Sequence, residues 1–305
     1  IAGYANIAAL AAEYESQGAK VIVADAGDFS QGKVEVSSNK GLNAVRMMNA
    51  AGYDIATLGN HEFDYGYAQL VENLKEAKFD TVCCNVLGED GKPVLDGSKV
   101  ITVGDVKIGF IGVNTPESQT KANPALIKGL TWLAGDDMVK AVQAEADKLK
   151  AEADVIAVLA HLGVDAESKP NRSTDLWAGL KGVDFIIDGH SHTVMTAGEG
   201  GEPIQSTGTA FQNIGVIVID NATKKIESNK LVKITADSAK DETVAAAAQA
   251  ITDAINKEYG TVFAKNEVKL NGDKAYNKDT GLYGNRDGET NLGNLITDSM
   301  VWTVK

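Results

Sequence analysis

Along the first two-thirds of this chain, segments with apolar residues at helical spacing alternate with short apolar runs that are typical of buried strands. Helical spacing predicts helices over 3–17, 40–51, 65–78, 136–153 and 172–181. The apolar runs predict strands over 20–26, 53–58, 79–87, 98–103, 106–113, 154–161 and 183–188. Helices and strands that alternate in this way are typical of a layered α/β domain.

The region after residue 200 follows a different pattern. Three strands are predicted over 203–207, 214–220 and 224–234, with no helix between them. Strands that follow one another so directly pair in antiparallel fashion, and the turn at Gly104-Asp105 predicts another hairpin earlier in the chain. We therefore expect mixed sheets and not a purely parallel one.

The organisation changes again near residue 236. An alanine-rich segment predicts a long helix over 236–260, with acidic residues early and lysine late, as the helix dipole favours. A polar, glycine-containing stretch follows, and apolar positions 292, 295, 296 and 300 predict one more helix. We interpret 1–235 as one domain, 236–260 as a bridging helix, and 261–305 as a linker and the beginning of a second, truncated domain.

Composition and charge exclude some classes of function. The hydrophobic content of 44% is enough to fill a globular core. A net charge of −13 argues against binding to a nucleic-acid polymer, which needs a basic surface. No apolar run approaches the roughly 18 residues that cross a bilayer. Because the chain starts at Ile1 and not at methionine, we expect it to be part of a longer protein.

The two cysteines are adjacent, at Cys83 and Cys84 within an apolar run. Neighbouring residues of a strand point to opposite faces, so a disulfide between them would be strained. We predict that both are small buried side chains of the core. Cysteine content therefore leaves the cellular compartment open.

Every histidine of the chain stands directly after a short apolar run. His61 follows 55–60, His161 follows 155–160, and His190 and His192 follow 183–189, while Asp28 ends a fourth such run. Strands that end at the same edge of a sheet bring the residues after them together. The pattern therefore predicts a metal site at that edge.

The segment GNHEFDYG at 59–66 is the most specific of these motifs. Asn60 offers an amide oxygen as a metal ligand. His61 and Asp64 lie three residues apart, so they can face each other at the start of a helix, and a carboxylate there fixes the imidazole tautomer for general acid catalysis. The alternative is a capping motif with a surface histidine. Glu62 is expected to face elsewhere and to assist packing.

The segment DGHSHT at 188–193 places two histidines two residues apart. On extended chain, His190 and His192 lie on one side and form a chelating pair for zinc, manganese or another first-row metal. Asp188 ends a buried strand, so we expect it to bond to the backbone or to support the ligands. A mixture of Asp, Asn and His ligands suits a site with positions open for water and substrate.

These motifs, taken together and in this order, resemble the calcineurin-like metallophosphoesterase superfamily. The resemblance is carried by GDFSQG at 27–32, GNHEFDYG at 59–66, the strand ending at His161, and GHSH at 189–192. GNHEFD and the run R-x-x-E-T-N-L-G-N at 286–294 are similar to the bacterial 5′-nucleotidase and UDP-sugar hydrolase branch. The resemblance covers essentially the whole chain. It implies a four-layer αββα sandwich and a C-terminal domain that binds the nucleoside.

The resemblance also implies two divalent metal ions, zinc, manganese or similar. It assigns one ion to Asp28, Asn60, His161 and His190, and the other to His192 and to Asp28 as the bridging ligand. The family opens with a strand that ends in a D-x-H motif and supplies two more ligands to the His192 ion. This chain does not open with that motif, so we expect its second metal site to be incomplete.

The implied activity is hydrolysis of nucleotide phosphoesters by a water molecule activated between the two metals. His61, paired with Asp64, would stabilise the transition state or protonate the leaving group, and Arg286 would contact the substrate phosphate. Cyclic nucleotides, nucleoside diphosphate sugars and sulfur esters stay open as substrates. The family resemblance also implies a location outside the cytoplasm.

Two other interpretations compete with this one. The first is a catalytically silent metal-binding protein of the cell surface, motivated by the missing D-x-H motif. The second is a structural α/β domain whose histidines are all satisfied within the core.

Overall fold

A computed structural model of the chain describes residues 1–262, 264–273, 275–285 and 287–304. Its helices are α1 (Tyr4–Ser16), α2 (Val34–Ser37), α3 (Leu42–Ala50), α4 (Tyr67–Leu74), α5 (Ser118–Lys121), α6 (Gly135–Leu149), α7 (Ser173–Gly179), α8 (Glu242–Tyr259) and α9 (Asn291–Thr303). Short 3-10 helices span Asn60–Phe63 and Ala166–Ser168.

The strands form separate sheets of different sizes. They are β1 (Ala24–Asp25), β2 (Ile55–Ala56), β3 (Asp80–Thr81), β4 (Val86–Leu87), β5 (Ser98–Val103), β6 (Val106–Asn114), β7 (Thr131–Trp132), β8 (Val155–His161), β9 (Phe185–Asp188), β10 (Val194–Met195), β11 (Ile204–Thr207), β12 (Asn213–Ile219) and β13 (Ile226–Lys233). The chain divides into two compact units, Ile1–Asn256 and Lys257–Lys305.

Parallel and antiparallel pairs are combined in the larger sheet, as predicted, but the strand predicted over 203–207 pairs in parallel with β9 and not in antiparallel fashion with the strand that follows it. Its six strands lie in the order β10-β11-β9-β8-β6-β5. The four central strands, β11, β9, β8 and β6, are parallel, and the edge strands β10 and β5 run antiparallel to them. A smaller parallel sheet has the order β1-β2-β3, and β12 with β13 and β4 with β7 form antiparallel pairs.

Two faces of the six-stranded sheet are buried, because successive side chains of its central strands enter different apolar clusters. In β8, Leu159 packs in one cluster with Ile55 of the smaller sheet. Its neighbour Val158 packs on the other face, in a cluster with Val142 of α6. A strand that is buried on both faces is apolar throughout, which is why 154–161 can be recognised from the sequence.

The opposite face of the smaller sheet is covered by a second layer of helices. Tyr4 of α1, Val45 of α3 and Ala248 of α8 form one apolar cluster with Ala56 of β2. The layers of the first unit are therefore helices, small sheet, large sheet and helices. This is the αββα order that the family resemblance implies.

The strands predicted before residue 88 are shorter in the structure than in the prediction. The run 20–26 contains only β1, 53–58 contains only β2, and 79–87 is divided between β3 and β4. The reason is that each of these strands pairs over only two residues, and residues 21–28 are only half-buried. An apolar run shows that a segment is buried, but the length of its ladder depends on the neighbouring strand.

The predicted helix over 236–260 begins later than expected, at Glu242. Asp241 accepts a hydrogen bond from the Val244 backbone N–H at 2.9 Å, so it caps the first turn and sets the start of α8. In the second unit, Thr290 caps α9 in the same way, through the Gly293 N–H at 2.9 Å. The substrate-binding role of residues 261–305 stays a prediction. No helix within the described residues is long and apolar enough to cross a membrane.

Both cysteines are buried, as predicted, and Cys83 and Cys84 belong to different apolar clusters. Burial raises the pKa of Cys83 to about 12 and raises that of Cys84 well above its usual range. Because the thiolate is the reactive form, we expect neither thiol to react with a chromogenic disulfide reagent at pH 8 in the folded protein. Both should react once urea unfolds the chain. Rapid modification before unfolding would contradict this prediction.

Candidate functional site

The predicted site residues lie at the carboxyl ends of strands in the three-stranded and the six-stranded sheet. Asp28 follows β1, His161 ends β8, and His190 and His192 follow β9. All four border one cavity of about 1140 Å³. The topology therefore brings together residues that are up to 164 positions apart in the chain (192 − 28).

Asp28 and His161 form an ion pair at the centre of this group. Asp28 Oδ2 lies 3.0 Å from His161 Nε2, and the His161 side chain is almost fully buried. Burial raises the pKa of Asp28, but the adjacent His161 outweighs burial and holds the pKa at about 2. Burial lowers the pKa of His161, but the Asp28 carboxylate outweighs it and raises that pKa to about 9. At neutral pH, Asp28 is therefore ionised and His161 is protonated.

Two buried atoms of the predicted metal ligands have no hydrogen-bond partner. They are Asn60 Oδ1 and His161 Nε2, whose approach to Asp28 does not have hydrogen-bond geometry. The other imidazole nitrogen, His161 Nδ1, lies 2.6 Å from the Ala26 carbonyl, to which it donates. A histidine that is held through one nitrogen presents the other to a cation, which is the usual arrangement at metal sites.

The donor set fits a divalent cation by its chemistry. The predicted ligands Asp28, Asn60 and His161 offer a carboxylate oxygen, an amide oxygen and an imidazole nitrogen, the ligand types of mixed oxygen and nitrogen sites. Within the ranges that the structure describes, no three His, Cys, Asp or Glu side chains are arranged to hold a metal ion. Asparagine is not one of these four residue types, and the ligand role of Asn60 stays a prediction.

Three residues of this site have an uncommon backbone conformation. Asp28, His190 and His192 have φ angles of 68°, 74° and 55°, in the left-handed region that residues with a side chain adopt uncommonly. Non-glycine residues held in this way concentrate at functional sites, where the surrounding structure compensates for the strain. Neighbouring residues must therefore hold the backbone of Asp28 in this strained conformation.

Glu62 provides that support, and our expectation that it faces elsewhere and only assists packing was wrong. Its buried carboxylate accepts three backbone N–H bonds, from Asp28 at 2.7 Å, from Ser30 at 2.8 Å and from Gly59 at 2.5 Å. Burial, together with the charge of Asp28, raises the pKa of Glu62. The glutamate thus joins the loop after β1 to the loop after β2.

A glycine allows these two loops to come together. A Cβ atom at Gly59 would collide with the backbone nitrogen and the carboxylate of Asp28. The neighbouring His61 backbone N–H also donates to Asp28 Oδ1 at 2.9 Å. The Asp28 carboxylate is therefore oriented through one oxygen by the backbone, while its other oxygen faces His161.

His61 and Asp64 face each other, as their spacing predicted. His61 Nδ1 lies 2.7 Å from Asp64 Oδ2, on the 3-10 helix and at its end. Asp64 Oδ2 also accepts a bond from Gln31 Nε2 at 3.0 Å, which fixes the carboxylate from a second side. The His61 side chain is 42% exposed, so its other nitrogen is accessible. The roles of both residues in catalysis stay predictions.

The loop after β9 holds the last two histidines in different environments. His190 is buried against His161, with 5.2 Å between the ring centroids, and burial lowers its pKa. His192 is exposed and borders the cavity. Asp188 accepts bonds from the Leu162 and Gly163 backbone N–H groups at 3.1 and 3.2 Å, which confirms its predicted bonding to the backbone.

Two further side chains near the site were missed in the sequence. Glu117 lies 3.2 Å from His190 through Oε2 and Nε2, and Lys121 lies 3.4 Å from the same nitrogen. No local pattern in the sequence marks either of them. Glu62 could have been recognised, because an acidic residue three positions after the N-cap, here Gly59, is typical of a capping box. Arg286, the predicted phosphate contact, lies outside the described residues.

Comparison with known proteins places this site in a family context. Residues 16–199 match the family model described as bacterial capsule synthesis protein PGA_cap. A 5′-nucleotidase of Bos taurus is 32% identical over 205 residues, which cover 65% of this chain and 34% of that protein. The endonuclease YhcR of Bacillus subtilis is 31% identical over 315 residues, which cover 96% of this chain and 25% of that protein.

The fold has solved counterparts. The structure of a 5′-nucleotidase precursor from Thermus thermophilus superposes with a TM-score of 0.74 and 26% identity, over 98% of this chain and 61% of that one. This chain spans about a third or less of the length of the bovine and Bacillus proteins. The activities in their names therefore describe much longer proteins.

Proposed function

Because this chain belongs to the PGA_cap family and, within the calcineurin-like phosphoesterases, to the 5′-nucleotidase branch, we propose that it hydrolyses nucleotide phosphoesters with the help of divalent metal ions. One observation carries the proposal. Nε2 of His161 is buried and has no hydrogen-bond partner, and it lies 3.0 Å from the Asp28 carboxylate, whose other oxygen accepts from the backbone N–H of His61, the residue that pairs with Asp64. Such an arrangement combines a cation site with a group that can transfer a proton.

In this proposal, Asp28, Asn60, His161 and His190 hold one ion, and Asp28 and His192 hold the other. Ions bound there would neutralise charge on the phosphoryl oxygens and supply an activated water. The number of ions, their identity and the ligand roles of these residues belong to the proposal, supported by the donor chemistry of the site. Because Glu62 and the His61 backbone fix Asp28, the bridging carboxylate is preorganised.

His61 is proposed to act on the leaving group. Its Nδ1 donates to Asp64, so Nε2 is the atom that can hold a proton next to the departing oxygen and deliver it. Since Asp64 is itself fixed by Gln31, the imidazole keeps one orientation during the reaction. We further propose a location outside the cytoplasm, as expected from the resemblance; recovery of the protein only in the cytoplasmic fraction of cells would contradict it.

We expect the metal-loaded protein to release inorganic phosphate from at least one nucleoside 5′-monophosphate, and to lose this activity on treatment with a chelator. Addition of Mn²⁺ or Zn²⁺ should restore it, because the charge on the phosphate must be neutralised in the transition state. The measurement is release of inorganic phosphate from a panel of 5′-monophosphates, with chromatographic detection of the phosphomonoester products for 2′,3′-cyclic nucleotides and nucleoside diphosphate sugars. Full activity in excess chelator, or no hydrolysis by protein shown to contain metal, would overturn the proposal.

A nucleic-acid polymer is the second candidate substrate, because the endonuclease YhcR is similar to 96% of this chain, although the match covers only 25% of YhcR. The net charge of −13 opposes binding of a polyanion, so nucleotides are the preferred proposal. A single-stranded oligonucleotide in the same panel distinguishes the two. The catalytically silent interpretation is not favoured, since the relatives named above carry the names of hydrolases.

A further inference from the structure

Glu117 approaches the site from a strand that carries none of the predicted ligands. It lies just after β6, and its Oε2 atom is 3.2 Å from Nε2 of His190, 73 residues later in the chain. Strands β6, β8 and β9 are parallel neighbours, so the segments that follow them meet at one edge of the sheet. The contact is therefore a product of the sheet order, with β8 lying between the two partners.

The carboxylate of Glu117 is held on both of its oxygens. Ser168 Oγ donates to Oε1 at 2.5 Å, and the Lys121 ammonium pairs with Oε2 at 2.7 Å. These partners come from two different segments, α5 and the 3-10 helix Ala166–Ser168. A carboxylate fixed in this way has one orientation, and it presents Oε2 to the imidazole of His190.

This contact determines which nitrogen of His190 carries the proton. A carboxylate oxygen can only accept, so Nε2 facing it at 3.2 Å is the protonated nitrogen and donates. Lys121 also lies 3.4 Å from Nε2 and pairs with Glu117 at 2.7 Å, so the carboxylate is the nearer of the two partners of Nε2. Within the described residues, Nδ1 of His190 takes part in no hydrogen bond. Nδ1 is consequently the nitrogen with a free lone pair.

We propose that Glu117, fixed by Ser168 and Lys121, is a positioning residue that keeps His190 in its Nε2–H tautomer, so that Nδ1 is available to a divalent cation. The inference rests on the metal site of the proposed function and adds to it a residue that the motifs do not contain. A carboxylate that orients a metal-binding histidine typically changes metal affinity by about 10- to 100-fold.

A matched control exists elsewhere in the same domain. Glu145 on α6 also pairs with one serine and one lysine, accepting from Ser98 Oγ at 2.7 Å and pairing with Lys148 at 2.5 Å. Glu145 is not among the partners of any histidine in the described part of the chain. E145Q therefore removes the same kind of carboxylate with the same kind of partners, without touching an imidazole.

The first measurement is the affinity for Mn²⁺ by isothermal titration calorimetry. E117Q is expected to bind the ion about 10- to 100-fold more weakly than the unmodified protein. E145Q is expected to bind it with unchanged affinity, because its carboxylate lies away from the site. Equal affinity of E117Q and the unmodified protein would overturn the proposal, and so would equal losses in E117Q and E145Q.

The second measurement is the tautomer of His190 in metal-free protein, from ¹⁵N shifts and long-range couplings of its ring. The Nε2–H form should dominate in the unmodified protein and in E145Q, and should lose its dominance in E117Q. An Nδ1–H form in the unmodified protein would overturn the proposal even if the affinities differed.

These outcomes separate the positioning role from the proposed function. The tautomer is measured without metal or substrate, so it reports on Glu117 whether or not the chain hydrolyses nucleotides. If the tautomer and the Mn²⁺ affinity change as expected but no nucleotide of the panel is hydrolysed, the proposed function fails and the positioning role stands.

Discussion

Replacing His61 by asparagine is expected to lower turnover of a nucleoside 5′-monophosphate by about 10²–10⁴-fold, the usual contribution of a general acid or base. Asparagine cannot transfer a proton, whereas the half-exposed imidazole can do so through Nε2 because its Nδ1 is bound to Asp64. Metal content should stay at the level of the unmodified protein. The measurements are the turnover number and the metal content of H61N after dialysis.

A histidine-to-asparagine substitution at the proposed metal ligand His192 provides the control. H192N removes an imidazole that borders the cavity, so it should lower metal content, with turnover falling for that reason. D64N leaves the His61 ring in place without its carboxylate partner, and its turnover should lie between those of H61N and the unmodified protein. If H61N lost metal in proportion to turnover, His61 would be a ligand and the proposed role would be wrong.

Replacing Glu62 by alanine is expected to lower the free energy of unfolding by about 3 kcal/mol or more. Three backbone N–H groups, of Asp28, Ser30 and Gly59, would lose their acceptor, and each buried donor left unsatisfied costs about 1–3 kcal/mol. E62Q keeps one oxygen acceptor, so its loss should be smaller. Urea unfolding followed by circular dichroism measures both variants.

An exposed glutamate of the same region is the control for Glu62. Glu72 on α4 pairs with Lys75 at 2.6 Å on the surface, with both side chains more than half exposed. Surface ion pairs contribute about 0–1 kcal/mol, so E72A should be nearly neutral. A loss of less than about 1 kcal/mol in E62A would show that water replaces the carboxylate, and the structural role assigned to Glu62 would be contradicted.

The elements that can be predicted well are those whose burial is set within a few residues. The apolar run predicts β8 over 154–161, and the strand spans Val155–His161, because both of its faces are buried and every residue is apolar or at the site. Helical spacing predicts α6 over 136–153, and the helix spans Gly135–Leu149. By contrast, β1 to β3 are two-residue strands whose lengths depend on their neighbours in the sheet.

The site residues, too, differ in whether their contacts can be predicted from nearby positions in the sequence. Motif residues such as His61 and Asp64 can be paired from their spacing alone, since three residues along a helical turn bring side chains together. The expectation for Glu62 was wrong although this residue lies between them. Its three hydrogen-bond donors lie on segments that meet only in the folded chain, at positions 28, 30 and 59.

The layered α/β class, the helices, the long strands and the identity of the residues after the strand ends can be read from the amino-acid sequence, because periodicity and strand-to-loop order are local properties. The contacts by which Glu62 joins two loops and Glu117 reaches His190 across β8 cannot, because they form only in the folded chain. Both contacts arise where parallel strands end side by side, and strand order is set by packing of the whole sheet. A carboxylate finds its donors only after that packing is complete.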